Sequence, residues 1–495
     1  MIRRRPCAPG QARRGISLAD LTAVELAAML RHGEVSAREV LRAHLDRIAE
    51  RDPAINAVCT LSAERAHDEA RRADERRARG ERLGPLHGLP ILHKDLLDTA
   101  GVRTTYGSAA FGDHVPAEDS LIVARAAAAG AVMVGKTNTP QFGTGGHTAN
   151  ALFGVTRNPY DPSRSAGGSS GGSAAALAAR EIPLATGTDM AGSLRIPAAF
   201  CNVVGMRPSP GLVPFLPTRT AWFPYVVAGP MARTVDDLAL LLSAVAGPDP
   251  RAAISVEAGP ERFAPPMNAA VSRLRVAWAP AIGGLPLDDD VRAVLDRLGA
   301  VIDGLGAQVT EDEPDLAGAG EAFLTWRAWY YATAYGDLLR ERPEVFDEFS
   351  AANTRAGLEL DGAALGRAEI ARSALIARVA EFFTRYDVLV MPCVPVAPFD
   401  AERWHPETVG GTAMESYLDW MRHLYLITAT GLPALSLPAG FTAQGLPVGV
   451  QIVAGPRCDL TALRFARALE EATRYATRPP DAFAAAGAGV SEGGG

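Results

Sequence analysis

The 495-residue chain has only five cysteines, Cys7, Cys59, Cys201, Cys393 and Cys458, and no CxxC pair. Thiols this scattered exclude a disulfide framework and a zinc–thiolate site. They fit a reducing compartment, so a cytoplasmic location is expected. No uninterrupted run of 18 apolar residues occurs, so no transmembrane helix and no membrane partner are expected. Positive charge is not in excess either: 49 Lys and Arg stand against 56 Asp and Glu, giving a net charge of −7. A nucleic-acid binder needs clustered cations, so nucleic acid is not an expected partner. HExxH and paired His–carboxylate spacings are also missing, so no metal site is expected.

What is present is ordinary for a globular protein, with 48% hydrophobic and 21% charged residues. The length alone allows about three domains. Neither an internal repeat nor a long linker divides the chain. A single domain over 17–480 is therefore expected, with 206–430 as its substrate-covering region. The Arg-rich start, residues 1–16, reads as a disordered basic tail, because no apolar segment follows it as in an export signal. The Gly/Ala-rich end, 481–495, also reads as disordered. Helical spacing covers 17–32 and 36–51, and Ser36 with Glu39 forms a capping box. Residues 62–80 suggest a solvent-facing helix. Further helices are predicted near 120–130, 172–180, 234–246, 289–304, 318–340, 365–385, 414–429 and 459–475. Apolar runs at 89–92, 131–134, 387–391 and 448–453 predict buried strands. Strands alternating with helices imply a layered α/β fold.

Gly130 to Thr137 matches the phosphate-loop pattern G-x-x-x-x-G-K-[ST]. Its context is wrong. Helical sequence precedes Gly130, and Ala-Val-Met-Val reads as a strand, so its N–H groups cannot converge on one anion.

Three other segments carry chemistry. Residues 165–176 read Ser-Ala-Gly-Gly-Ser-Ser-Gly-Gly-Ser-Ala-Ala-Ala and run straight into an apolar helix. That context fits a rigid functional loop rather than a tether. Residues 187–197 read Gly-Thr-Asp-Met-Ala-Gly-Ser-Leu-Arg-Ile-Pro, where small residues before Ser193 leave N–H groups uncovered to stabilise an oxyanion. Residues 88–95, Gly-Leu-Pro-Ile-Leu-His-Lys-Asp, put Lys94 at the end of an apolar strand. Desolvation there lowers an amine's pKa and lets it act as a base.

Together these segments resemble the amidase signature family, whose hallmark is a Ser–cisSer–Lys triad in a G-G-S-S-G-G and G-T-D-x-G-G-S-I-R frame. Similar stretches at 156–161, 229–235, 430–434 and 446–451 extend the resemblance over about 17–475. It implies an α/β/α layered domain on a large mixed sheet. It also implies an amide hydrolase that works through a seryl acyl-enzyme, needs no cofactor and takes a small-molecule amide. By the match, Ser193 is the nucleophile, Ser169 the serine at a cis peptide and Lys94 the base. Met190, Ala191 and Gly192 match the oxyanion loop. Ser170, Asp189 and Arg195 are expected to support the site, the last two by pairing. Ala191 replaces the usual first glycine of the G-G-S, which strains it only if that position needs φ > 0. Gln141 stands where Glu is common and suggests a lost surface or supporting charge.

Competing readings remain. Gly167 to Gly171 fits the G-x-S-x-G elbow, but an elbow needs a strand leading into the serine, and 161–164 reads as a turn. A Ser-His-Asp triad would need a histidine; His93 should face away from Lys94, and His147 lies near in sequence. Trp222, Phe223 and Tyr225 are candidates for core packing, a lid or an acyl pocket. The family includes the glutamine-hydrolysing component of a tRNA-dependent amidotransferase, which releases ammonia from glutamine for its partner chains. A non-catalytic interaction protein with the same fold is a further alternative. By base rate a homodimer is the oligomer to expect, if one forms.

Overall fold

The computed structural model describes residues 17–268 and 271–480, so the expected tails at 1–16 and 481–495 lie outside the described residues. Short apolar runs punctuated by Gly and Pro become strands. The first are β1 (Val58–Leu61), β2 (Pro90–Lys94) and β3 (Val132–Thr137). Two small hairpins follow: β4 (Ala149–Asn150) with β5 (Gly154–Val155), and β6 (Arg157–Asn158) with β7 (Asp161–Ser165). Next come β8 (Leu184–Asp189), β9 (Val204–Arg207), β10 (Val227–Ala232), β11 (Arg275–Trp278), β12 (Gln308–Glu311) and β13 (Val388–Pro392). A third hairpin pairs β14 (Thr408–Val409) with β15 (Thr412–Ala413), and the last strands are β16 (Ala434–Phe441) and β17 (Pro447–Ala454). Outside the hairpins, eleven strands join one mixed sheet in the order β1-β3-β2-β8-β10-β9-β16-β17-β13-β11-β12.

β2 runs parallel to both β3 and β8. Parallel neighbours need crossovers, and the helices Leu121–Ala128 and Gly171–Ala178 lie in those connections. The carboxyl ends of β2 and β8 thus open side by side, the usual place for a site in such sheets.

Most helices form where apolar spacing predicts them. Asp289–Gly304 matches residue for residue, and Ala319–Glu341 and Asp459–Thr473 differ by a residue or two. Ser36 and Glu39 make the reciprocal capping bonds that start Ala37–Ile55, at 3.1 and 2.8 Å. The predicted helix at 414–429 begins only at Arg422. Gly410 and Gly411, both at positive φ, turn the β14–β15 hairpin just before it, and Asp419 accepts the Ser416 N–H at 2.7 Å to hold a tight turn. The helix Glu348–Leu358, capped by Asp347, was not apparent from spacing. The phosphate-loop motif is helix, turn and strand: Gly130 sits at φ 94° and β3 runs from Val132.

Two apolar clusters fill the interior. One, with Leu92, Val134, Leu194 and Leu241, packs on the sheet. The other, with Phe200, Phe323, Trp420 and Leu424, lies under the helices Ala319–Glu341 and Arg422–Thr430. Each such side chain contributes roughly 1.5–3 kcal/mol by leaving water. Leu194 belongs to the first cluster and Ala191 and Ile196 to the second, so the turn carrying Ser193 is anchored in both. No helix among the described residues is long and apolar enough to cross a membrane.

Candidate active site

Lys94 ends β2 with its side chain fully buried. Its Nζ donates to Ser169 Oγ at 2.7 Å and to Thr188 Oγ1 at 3.0 Å. Burial pulls its pKa well below 10.5, and the carboxylate of Asp189 only partly opposes this. The amine is therefore poised to be neutral, a base with a serine already at hand. His93, the preceding strand residue, points elsewhere: its Nδ1 meets Thr186 Oγ1 at 2.8 Å. Thr188 was not singled out from sequence; its place one residue before Asp189 at the end of β8 was the available signal.

Ser169 lies between β7 and the helix Gly171–Ala178, and the Gly168–Ser169 peptide is cis. A Cβ on Gly168 would come within 2.7 Å of the His147 backbone, so only glycine fits there. His147 supports this loop from below, with Nδ1 2.7 Å from Ser165 Oγ. Ser170 joins the Ser169 loop to the Ser193 turn and to the end of β8. Its N–H donates to the Ser193 carbonyl at 3.1 Å, and its hydroxyl donates to Thr188 O at 3.3 Å.

Ser193 sits in the turn between β8 and the helix Arg195–Phe200. Asp189 holds that turn: Oδ1 accepts the Gly192 N–H at 3.0 Å and Oδ2 the Leu194 N–H at 3.1 Å. Arg195 meets the same carboxylate through Nε and Nη2, at 3.1 and 2.9 Å. Burial alone would raise the Asp189 pKa, but Arg195 and Arg207 outweigh it and hold it down at about 2. Arg195 also donates to Gln451 Oε1, Thr428 Oγ1 and Leu424 O, which ties the turn to β17 and the helix Arg422–Thr430. The pairing expected of Asp189 and Arg195 is thus present, buried and bidentate.

The oxyanion assignment needs one correction. The Gly192 N–H is already donated to Asp189, so it is not a free oxyanion donor. Among the described residues no protein acceptor takes the Met190, Ala191 or Ser193 N–H, and all three residues line the cleft. Ala191 is not at positive φ, whereas Gly192 is, at 105°, with a Cβ there meeting Leu424 at 2.7 Å. The alanine is unstrained, and its methyl narrows the cleft.

Ser169, Ser193, Met190 and Thr188 share one cleft. No hydrogen bond joins the Ser169 and Ser193 hydroxyls among the described residues; in unliganded sites such bonds are often long and tighten on binding. The cleft walls are aromatic: Tyr106, Phe142, Tyr330, Tyr331 and Tyr335. Trp222, Phe223 and Tyr225 are not part of them. Trp222 is exposed, Phe223 stacks on Tyr330, and Tyr225 is buried against Phe323.

Other readings change as well. No histidine lines the cleft among the described residues, so a Ser-His-Asp triad is not assembled there. Residues 161–165 are a strand rather than a turn, yet Ala166, Gly167 and Gly168 intervene before Ser169, so no elbow forms. Lys136 is sealed inside, donating to Leu97 O, Thr99 Oγ1 and Thr104 Oγ1, out of reach of any phosphate. Gln141 is buried rather than at the surface. Its amide donates to Val345 O at 2.7 Å and Ser108 Oγ at 3.1 Å and accepts the Asp347 N–H at 2.8 Å. Among the described residues no group of three or more His, Cys, Asp or Glu could hold a metal ion.

Comparison with known proteins places this geometry. Residues 39–463 match the sequence model of the Amidase family. An acylamidase of Rhodococcus erythropolis is 38% identical over 468 residues, covering 93% of this chain and 97% of the relative. The A chain of the glutamyl-tRNA(Gln) amidotransferase of Acidothermus cellulolyticus is 39% identical over 487 residues, covering 92% and 95%. The crystal structure of a bacterial aryl acylamidase of the amidase signature enzymes superposes with a TM-score of 0.87 at 27% identity, covering 93% and 98%.

Proposed function

We infer the route of catalysis from one premise: the chain belongs to the amidase family and hydrolyses amides. In the proposed route, neutral Lys94 accepts a proton from Ser169, and Ser169 accepts one from Ser193. Ser193 Oγ then adds to the amide carbonyl, with its oxyanion facing the N–H groups of Ala191 and Ser193. The proton returns along the relay to the amide nitrogen, the C–N bond breaks and the amine leaves. Water adds to the acyl-enzyme by the same proton path and releases the acid. One observation carries this reading: a fully buried lysine with a strongly lowered pKa donates to Ser169 at 2.7 Å.

The proposed substrates are acylated amines and anilides. The aromatic cleft and the likeness to acylamidases support this class. A second reading, glutamine hydrolysis on behalf of partner chains, has the likeness to the glutamyl-tRNA(Gln) amidotransferase behind it. We place the enzyme in the cytoplasm because Cys201 and Cys393 are buried free thiols. We propose likewise that 17–480 forms a single domain and that the chain pairs as a homodimer.

The test is amine or ammonia release from anilides, alkyl amides and glutamine by the purified chain alone, with Ser193→Ala alongside. Anilide turnover that falls by about 10⁴-fold or more in the variant is expected. Glutamine turnover that appears only with added partner chains would favour the second reading. Equal activity in both proteins would refute Ser193 as nucleophile.

A further inference from the structure

The cleft contains one cation that the relay does not use. Arg327, on the helix Ala319–Glu341, lines the cleft beside Tyr330, Tyr331 and Tyr335 and is 3% exposed. A guanidinium has five N–H bonds to donate. Arg327 Nη1 donates to Asn353 Oδ1, and Nη2 donates to the Tyr417 hydroxyl at 2.8 Å. Its Nε is buried with no acceptor.

An anion is missing as well. Among the described residues Arg327 makes no ion pair; its guanidinium carbon lies 4.5 Å from the Tyr331 ring and 5.7 Å from the Tyr417 ring. The contrast with Arg195 and Arg207 is direct, because those buried arginines share the Asp189 carboxylate. Asp98 also lines the cleft, but it accepts the Tyr106 hydroxyl at 2.6 Å and forms no pair with Arg327. Burial pulls the Arg327 pKa down, the phenols of Tyr417 and Tyr331 more than offset it, and the net direction is up. A guanidinium kept charged, nearly buried in the cleft wall and left without an anion is an expensive strut. A neutral amide side chain could bond Asn353 and Tyr417 without that cost. The arrangement makes sense when something entering the cleft supplies the missing charge.

We infer that Arg327 is the receptor for a carboxylate carried by the substrate, so the favoured amides bear an anion away from the scissile bond. The inference rests on the amide-hydrolase reading and narrows its substrate class. Arg327 sets specificity and takes no part in the proton relay.

Two isosteric pairs test it. The acyl-side pair is the mono-4-nitroanilide of succinic acid and the 4-nitroanilide of 4-methylpentanoic acid. The amine-side pair is 4-acetamidobenzoate and 4-isopropylacetanilide. The wild-type chain is expected to favour the carboxylate member of one pair by at least about 10-fold in kcat/KM, and which pair responds locates the anion. Arg327→Met is expected to lower that preference about 10–100-fold, and Arg327→Lys to keep part of it. Titration of the Ser193→Ala protein, with Arg327 intact, adds a reading free of chemistry: the carboxylate member should bind at least about 10-fold more tightly. Turnover without preference in either pair, or equal losses on both members in Arg327→Met, would overturn the inference while leaving amide hydrolysis intact. Preferential binding without turnover of any amide would sink the hydrolase reading and leave the anion receptor standing. Neither turnover nor preferential binding would overturn both.

Discussion

An unfolded chain carries Lys94 protonated at neutral pH, whereas the folded chain pulls its pKa well below 10.5 by burial. Between those two pKa values the unfolded state binds the extra proton, so this residue makes the fold more stable as pH rises toward the ordinary lysine range. Lys94→Met removes the penalty along with the base. The variant should be inactive yet more stable than wild type at pH 7, because it no longer gives up a proton to fold. The gain should shrink toward pH 10, and urea denaturation at pH 7, 8.5 and 10 measures it. A variant less stable than wild type at pH 7 would refute the neutral-lysine state. The same shift governs activity, since kcat/KM must fall on the acid side as Lys94 takes up its proton. At the neighbouring turn, Gly192→Ala should lose most turnover, because φ 105° and contact with Leu424 both reject a side chain. Ala191→Gly should change kcat by no more than about threefold, because alanine is unstrained there; steady-state assays of both variants settle the contrast.

Between elements, the Asp189 carboxylate joins β8, the turn carrying Ser193 and two arginines. Asp189→Asn leaves Arg195 and Arg207 without their shared anion. A loss of about 3–5 kcal/mol in unfolding free energy is expected, with turnover falling in the molecules that remain folded. Gln141 joins its own tight turn to the start of the helix Glu348–Leu358. Gln141→Glu replaces a donor facing Val345 O with an acceptor, and thermal unfolding should register about 1–3 kcal/mol of destabilisation. These ties explain what could be read from the chain in advance. Lys94, Ser169 and Ser193 could be named because their segments resemble the amidase signature; taken alone, Ser193 reads as a turn serine and Lys94 as a surface lysine. Arg327 could not, because its meaning depends on the absence of a carboxylate in space. Long amphipathic helices such as Asp289–Gly304 were legible from 3.6-residue spacing. β8, β9, β10 and β16 were not, because their Gly and Pro residues read as breakers while the sheet buries both their faces. The spacing of Met414, Tyr417, Leu418 and Met421 imitates a helix that a hairpin and a tight turn pre-empt.

Among the described residues, several buried ionisable groups outside the Asp189–Arg195–Arg207 cluster are pushed toward their neutral forms by burial. His44, His93 and His423 have pKa values near 3 and His147 near 4, all from burial. Glu470 is pushed up to about 8 by burial while its Oε1 accepts the Val235 N–H at 2.9 Å. A raised folded pKa gives stability that is present below the unfolded value, near 4.5, and lost as pH rises through 8. Glu470→Gln keeps the acceptor and removes the titration. It should match wild type below pH 4.5 and exceed it by about 3 kcal/mol at pH 7, at 1.36 kcal/mol per unit. Denaturation midpoints across that range measure the difference, and parallel curves would refute it.

One part of the cleft's wall stands apart in the chain from Lys94, Ser169 and Ser193. The Lys94–Ser169–Ser193 groups stand at the ends of sheet strands and their loops, whereas Arg327, Tyr330, Tyr331 and Tyr335 project from one helix, Ala319–Glu341. Residues 327, 331 and 335 recur every four positions and so share one face. Descendants of this gene can therefore acquire new diets by point changes along a single helical stripe, and inherit the reaction intact.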